Sequence, residues 1–260
     1  MHENRMKKKL QAGEPVFGVS VMFPSPQVVE MVGKLGFDWV LIDCEHGSTS
    51  PESAELMAMA AEATGITPIA RPQMNSSEAI LSVMDRGAMG VQVPHVNTAE
   101  DAKRAVRAVK FHPLGDRGLA AGTRPANYGF GPSMSEYVIE ANRETLVCVQ
   151  LEEEQAIKNI DEILEVEGVD VFFVGPSDLS QSMGYVGQQA HPEVQEVMER
   201  GVEIIRKAGR FAGVSCPENL VPKYLDLGVQ YFHGTVQTLI QTASNEYLNT
   251  MRKAAGEAGL

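Results

Sequence analysis

Residues 39–71 read WVLIDCEHGSTSPESAELMAMAAEATGITPIAR, and this stretch decides the fold. Trp39–Asp43 is a short apolar run closed by an acid. Its length and its Val, Leu and Ile content suit a strand buried on both faces. Ser50 then offers an N-cap, Pro51 suits the first helical position, and Pro51–Ala63 has the length of a helix. Thr67–Arg71 is a second run of the first kind. Strand, loop, helix and strand in that order make the repeating unit of a parallel sheet.

The same alternation extends in both directions. Further strand-like runs are Val16–Met22, Gly90–Pro94, Thr145–Glu152, Val169–Gly175, Phe211–Ser215 and Val229–His233. Helix-like segments are Pro26–Leu35, Ser76–Arg86, Thr98–Val109, Glu153–Val166, Pro192–Ala208, Glu218–Leu227 and Thr235–Ala255. Several of these end in Gly ahead of the next strand, at Gly36, Gly87, Gly209 and Gly228, where a left-handed C-cap is needed. Eight such units predict a single-domain (β/α)8 TIM barrel over residues 1–260. The rival is an open doubly wound sheet. It rarely needs so many even units, and neither a G-x-G-x-x-G nor a G-x-x-x-x-G-K-[ST] loop is present. Two long connections stand out, Phe111–Pro132 and Asp178–His191, and long loops in a compact domain usually serve function.

Composition narrows the function classes. The chain has 260 residues, close to the roughly 250 that such a barrel uses. Its 22 Lys and Arg against 34 Asp and Glu give a net charge of −12, which argues against nucleic acid as a partner. Lys7, Lys8 and Lys9 form the only dense basic run and read as a solvated helix turn. Cys44, Cys148 and Cys216 are far apart and form no C-x-x-C, which fits a reducing compartment. No secretory h-region and no long apolar stretch is visible, so a cytoplasmic enzyme without a membrane span is expected.

In a TIM barrel the reactive groups stand at the carboxyl ends of the strands. That filter selects Asp43-Cys44-Glu45-His46, Arg71-Pro72, Gln150-Leu151-Glu152 and Gly175-Pro176-Ser177-Asp178. Gln150 and Glu152 share a face of their strand, and the next strand lies about 4.8 Å away. Glu152 and Asp178 therefore have a common point to face. Two carboxylates so close repel unless a proton or a cation lies between them, and a hard divalent ion resolves the conflict. Other readings stand beside these. Glu152 also suits a helix N-terminal acid, Asp178 a turn residue, His46 a surface histidine and Arg71 a structural ion pair. As a site residue, His46 is a general base near neutral pH, with Asp43 orienting it or holding the turn. Arg71 suits binding a keto-acid oxygen or a developing oxyanion. His95, His112 and His191 carry less chemistry, and His233 closes strand 8 at the correct end without a paired motif. No strand run holds a Lys, which argues against a Schiff-base aldolase.

Taken together, Phe37–Gly47, Ala70-Arg71-Pro72, Val149–Glu152 and Val174–Ser180 resemble the metal-dependent pyruvate aldolases of the HpcH/HpaI family. The resemblance spans nearly the whole chain. It implies a homohexamer whose C-terminal helix is exchanged between subunits. It implies that Glu152 and Asp178 bind Mg2+, Mn2+ or Co2+, that Arg71 and Gln150 contact the keto acid, and that backbone N–H groups of Ser177 and Asp178 hold its carboxylate. Val214 would be an apolar wall of the pocket. His46 would work with an acid matching Asp85, contributed in the family by a neighbouring subunit. The implied reaction cleaves 4-hydroxy-2-oxo acids to pyruvate and an aldehyde through a pyruvate enolate, and runs in reverse. Oxaloacetate decarboxylation and a macrophomate synthase-like fate of the same enolate are the alternatives, followed by a metabolite-binding barrel without turnover. Ser177 in place of a common Ala, Cys44, Tyr231–Val236 and the Gly-rich loop with Arg124 and Tyr128 depart from the family pattern, and they bear on the aldehyde rather than on the carboxylates.

Overall fold

The doubly buried runs do close on themselves. In a computed structural model, which describes residues 2–256, strands β1 to β8 pair in sequence order and β8 returns to β1. All these pairings are parallel. The strands are β1 (Val16–Val21), β2 (Trp39–Asp43), β3 (Thr67–Arg71), β4 (Gly90–Val93), β5 (Leu146–Leu151), β6 (Val171–Val174), β7 (Phe211–Ser215) and β8 (Tyr231–Thr235). Helix α1 (Arg5–Gln11) precedes the barrel. Helices α2 (Pro26–Lys34), α3 (Pro51–Thr64), α4 (Ser77–Met84) and α5 (Ala99–Val109) follow the first four strands in turn. After α6 (Met134–Glu144) the outer ring continues with α7 (Glu154–Lys158), α8 (Ile160–Leu164), α9 (Pro176–Ser182), α10 (Pro192–Lys207) and α11 (Val221–Asp226), and α12 (Val236–Ala254) ends it.

Two apolar layers hold this arrangement. Outside the sheet, residues such as Val40, Ile42, Val149 and Phe172 pack against the helices in one continuous cluster. Inside, Trp39, Leu41, Ile69, Leu146, Cys148, Val171, Phe173 and Tyr231 fill the lumen, and Met6 and Leu10 of α1 close it from below. The barrel is therefore packed, and Asp43, Arg71, Gln150 and Glu152 gather above that plug. The indole of Trp39 lies over Gly18, where a Cβ would come within 2.0 Å of the ring. Glycine is required there because the lumen is too narrow for two side chains at that level.

Several segments differ from the sequence expectation. Lys7 is not solvated. Its ammonium binds the Thr145 carbonyl at 2.9 Å and Asp170 at 3.0 Å, tying α1 to the amino-terminal ends of β5 and β6. The Phe111–Pro132 connection is followed by α6, which begins in a capping box formed by Ser133 and Glu136, and it contains a 3-10 turn at Arg124–Gly129. The long connection expected from Asp178 is helical at its start, so Asp178 stands in the first turn of α9 rather than in a loop. The Glu153–Val166 helix breaks at Asn159, whose side-chain amide donates to the Asn97 carbonyl. Strand 8 begins at Tyr231 instead of Val229, because the Val229 N–H is spent on a turn to the Tyr224 carbonyl.

Among the described residues no helix is long and apolar enough to cross a membrane. Cys44, Cys148 and Cys216 remain free thiols.

Candidate active site

The carboxyl end of the barrel collects the charged groups. Asp43, the last residue of β2, is fully buried and grips Arg71, the last residue of β3, through Nε–Oδ1 (3.0 Å) and Nη2–Oδ2 (2.5 Å) bonds. The register places these residues directly opposite each other. Asp43 Oδ1 also accepts the backbone N–H groups of Glu45 (3.0 Å) and His46 (3.2 Å). Burial by itself would raise the Asp43 pKa, but the Arg71 bonds and charge and these two amides hold it below the ordinary value. Asp43 thus orients Arg71 and the turn, and does not touch the His46 ring. Glu45 reaches back to Arg71 at 3.3 Å. His46 is exposed, with Nε2 at 3.6 Å from Glu45 Oε2.

Glu152 continues the inward face of β5 one residue past the strand and is only 3% exposed. Its Oε1 accepts the backbone N–H of His95 at 2.8 Å, and its Oε2 accepts from Gln150 Nε2. The Gln150 amide is itself oriented, because its Oε1 accepts from Gln92 Nε2 at 2.6 Å and Gln92 Oε1 accepts from the Tyr231 hydroxyl at 3.1 Å. A relay from β8 through β4 and β5 therefore ends on the carboxylate. Burial raises the Glu152 pKa; the His95 amide and imidazole oppose this, while Asp178 and Glu45 reinforce it. Glu45 is raised for the same first reason, burial, against the pull of Arg71, His46 and His95. A Cβ on Gly175 would lie 2.9 Å from the Glu152 Cβ and 3.1 Å from Oε2, so the first residue after β6 must be glycine for the carboxylate to fit.

His95 is the residue that sequence reasoning passed over. It follows Pro94 at the end of β4 with φ of 53°, a left-handed backbone that costs a non-glycine residue roughly 1–2 kcal/mol. Its Nδ1 lies 3.0 Å from Glu153 and 3.6 Å from Glu152, and its Nε2 lies 3.4 Å from Glu45. Burial opposes its protonation, but these three carboxylates outweigh that and raise its pKa. Gln92 and Tyr231 were also missed, and Glu45, although inside the selected run after β2, had no role assigned to it. The signal available for Gln92 was a polar residue inside an otherwise apolar strand.

His233 sits in the lumen between the rings of Trp39 (5.7 Å between centroids) and Phe173 (5.8 Å). The residue is partly exposed at the cleft, yet both ring nitrogens are buried without a hydrogen-bond partner among the described residues. Burial, and then the charge of Arg71, push its pKa down to about 3 despite nearby Asp43.

Val214 is a correction: it packs in the outer layer between sheet and helices, so it does not face the pocket. Gly213, whose Cβ would strike Phe173 and Tyr231, faces inward, and alternation turns Ser215 the same way. Asp85 caps the carboxyl end of α4, which runs opposite to the strands, and so lies at the amino-terminal face of the barrel. There it accepts from Arg117 Nη2 at 2.8 Å, and within one chain it does not join His46. Ser177 and Asp178 open α9, where first-turn N–H groups lack intrahelical acceptors, and Ser177 Oγ accepts from Gln189 at 2.9 Å.

The donor set around Glu152 is made of carboxylate oxygens with a partly exposed approach at Asp178. Among the described residues no three His, Cys, Asp or Glu side chains converge to cage a metal ion. A pair of carboxylates fits Mg2+-like ions, which take one or two protein carboxylates and leave other positions to water and substrate.

The family model for HpcH/HpaI aldolase/citrate lyase matches residues 18–245. The chain is 36% identical over 247 residues to a 4-hydroxy-2-oxo-heptane-1,7-dioate aldolase from Shigella flexneri, covering 95% of this chain and 92% of that one. It is 36% identical over 244 residues to a hydroxypyruvate/pyruvate aldolase from Sagittula stellata, covering 93% and 95%. Among solved structures, an HpcH/HpaI aldolase/citrate lyase family protein from Burkholderia cenocepacia superposes with a TM-score of 0.89 at 28% identity, covering 96% of this chain and 99% of that one. With a closed parallel barrel, acids and an arginine at its carboxyl end, and matches over nearly its full length, this chain belongs to the HpcH/HpaI aldolase/citrate lyase family.

Proposed function

We propose that this protein is a divalent-metal-dependent lyase that cleaves 4-hydroxy-2-oxo acids to pyruvate and an aldehyde and catalyses the reverse addition. The observation that carries this reading is the buried Glu152 carboxylate, held by Gln150 and the His95 amide beside Asp178 and the Asp43–Arg71 pair. The names borne by the Shigella and Sagittula relatives support it.

Glu152 and Asp178 would hold the ion, Mg2+, Mn2+ or Co2+. When bound, a dication supplies Lewis acidity toward the 2-oxo and carboxylate oxygens of the substrate. The chain's own groups then divide the work. Arg71 is locked by Asp43, so its guanidinium meets a developing enolate oxygen without reorganising. Gln150 uses one N–H on Glu152 and keeps a second for the keto acid. The N–H groups of Ser177 and Asp178 suit the substrate carboxylate. His46, at the rim, would take the 4-hydroxyl proton through a water, and C3–C4 cleavage would leave the electron pair on the pyruvyl fragment. A role for Asp85 in this step requires a second subunit. The apolar side chains that α12 exposes, Leu239, Ile240, Tyr247, Leu248 and Met251, support a homo-oligomer, with exchange of this helix in a hexamer as the finer reading. The free thiols support a cytoplasmic setting.

The test is pyruvate release from a panel of 4-hydroxy-2-oxo acids, with and without chelator. Metal-dependent release is expected; an undiminished rate after metal stripping, or no release from any member, refutes the reading. A second reading, oxaloacetate decarboxylation, is favoured by the exposed His46, which among the described residues has no acid partner except Glu45. Decarboxylation needs no base near C4, so His46→Ala should abolish cleavage and spare it.

A further inference from the structure

His95 makes two different kinds of contact at the site, and only one depends on its side chain. The left-handed backbone at φ 53° turns its N–H onto Glu152 Oε1 at 2.8 Å. The next amide, Val96 N–H, donates to the Gln150 carbonyl at 3.2 Å. Successive amides after β4 thus clamp the end of β5, one through a side chain and one through the main chain. With Gln150 on Oε2, each Glu152 oxygen spends one lone pair inside the protein and keeps another for a ligand. An extended residue at position 95 would rotate its N–H away from the carboxylate, and strained backbone of this kind persists only where the surrounding structure over-determines it, most often at active sites and ligand clamps.

We propose that His95 is a positioning residue of the metal centre, and that it acts through its left-handed backbone amide, which aims the Glu152 carboxylate, rather than through its imidazole. This rests on the reading of Glu152 as a metal ligand given above. Groups that orient metal ligands typically contribute about 10–100-fold to metal affinity.

The test is Mn2+ affinity of the full chain, read from the electron paramagnetic resonance signal of free Mn2+ during titration, without substrate. Glycine adopts positive φ freely, Asn tolerates it, and a β-branched residue resists it strongly. His95→Gly and His95→Asn should therefore bind Mn2+ within about threefold of the unmodified protein, and His95→Val should bind roughly 10–100-fold more weakly. Equal weakening in His95→Gly and His95→Val would overturn the proposal, because the ring would then be responsible. Unchanged affinity in His95→Val would overturn it too. If His95→Val does not fold, His95→Ala replaces it: Ala should bind several-fold more weakly than Gly, and equal affinities count against the proposal. Glu152→Gln separates the two levels of the argument. If it binds Mn2+ as the unmodified protein does, the metal reading itself fails. If it loses binding while His95→Val keeps it, only the role of His95 fails.

Discussion

The imidazole of His233 makes the acid stability of this barrel predictable. Its folded pKa is about 3, against roughly 6.5 for a free histidine. Below pH 6.5 the unfolded chain binds a proton at this residue that the folded chain refuses. Stability therefore falls as pH drops from 6.5 toward 3, and the loss levels off below the folded pKa. Each unit is worth about 1.4 kcal/mol, so the penalty is roughly 2 kcal/mol at pH 5 and roughly 4 kcal/mol at pH 3. Replacement by Phe removes the titration and leaves an aromatic ring between Trp39 and Phe173. Because neither ring nitrogen has a partner among the described residues, the substitution breaks no hydrogen bond. The assay is urea unfolding of the unmodified protein and His233→Phe at pH 7 and pH 5, at one protein concentration. The stability difference should move by about 2 kcal/mol in favour of the variant between the two pH values. With a slope of about 3 kcal/mol per molar urea, that is a relative midpoint shift of roughly 0.7 M. Parallel pH dependence in the two proteins would show that the imidazole is charged or solvated in the fold, and the reasoning would be wrong.

Other outcomes are expected at the same end of the barrel. Glu152→Gln keeps the shape of the side chain and removes its charge; pyruvate release should fall by about a hundredfold or more and Mn2+ titration should show lost binding. Asp43→Asn leaves the largely buried Arg71 without its counter-charge, so calorimetry should find a destabilisation of about 3–5 kcal/mol. A stability unchanged within 1 kcal/mol would mean that Arg71 is solvated. Gly175→Ala pushes on Glu152, so Mn2+ affinity should drop well before thermal stability does; an unaffected affinity would show that the carboxylate has room to spare.

Much of this molecule was readable along the chain because its information is local. Doubly buried strand runs, the N-cap at Ser50 and helix-ending glycines are properties of neighbouring residues, and they sufficed for eight strand–helix units and for the end of the barrel where chemistry gathers. Alternation by itself also put Gln150 and Glu152 on one face, as they are. Strand β7 is apolar on both faces, so no polar–apolar pattern sets its parity, and nothing along the chain opposes the pocket-wall role that the resemblance implies for Val214; the structure packs it outward, and a slip of one residue exchanges the two faces.

Tertiary structure decided what meets what. Arg71 closes on Asp43 because the β2–β3 register sets them opposite, and Tyr231 reaches Gln92 across the lumen at a sequence separation of 139 residues. His95 joins the site through a backbone conformation that its residue type does not announce. Asp85 stands apart from the site of its own chain because its helix runs against the strands. Such facts depend on register, handedness and closure of the whole sheet, which are set by burying all the faces at once, and no window of sequence contains them.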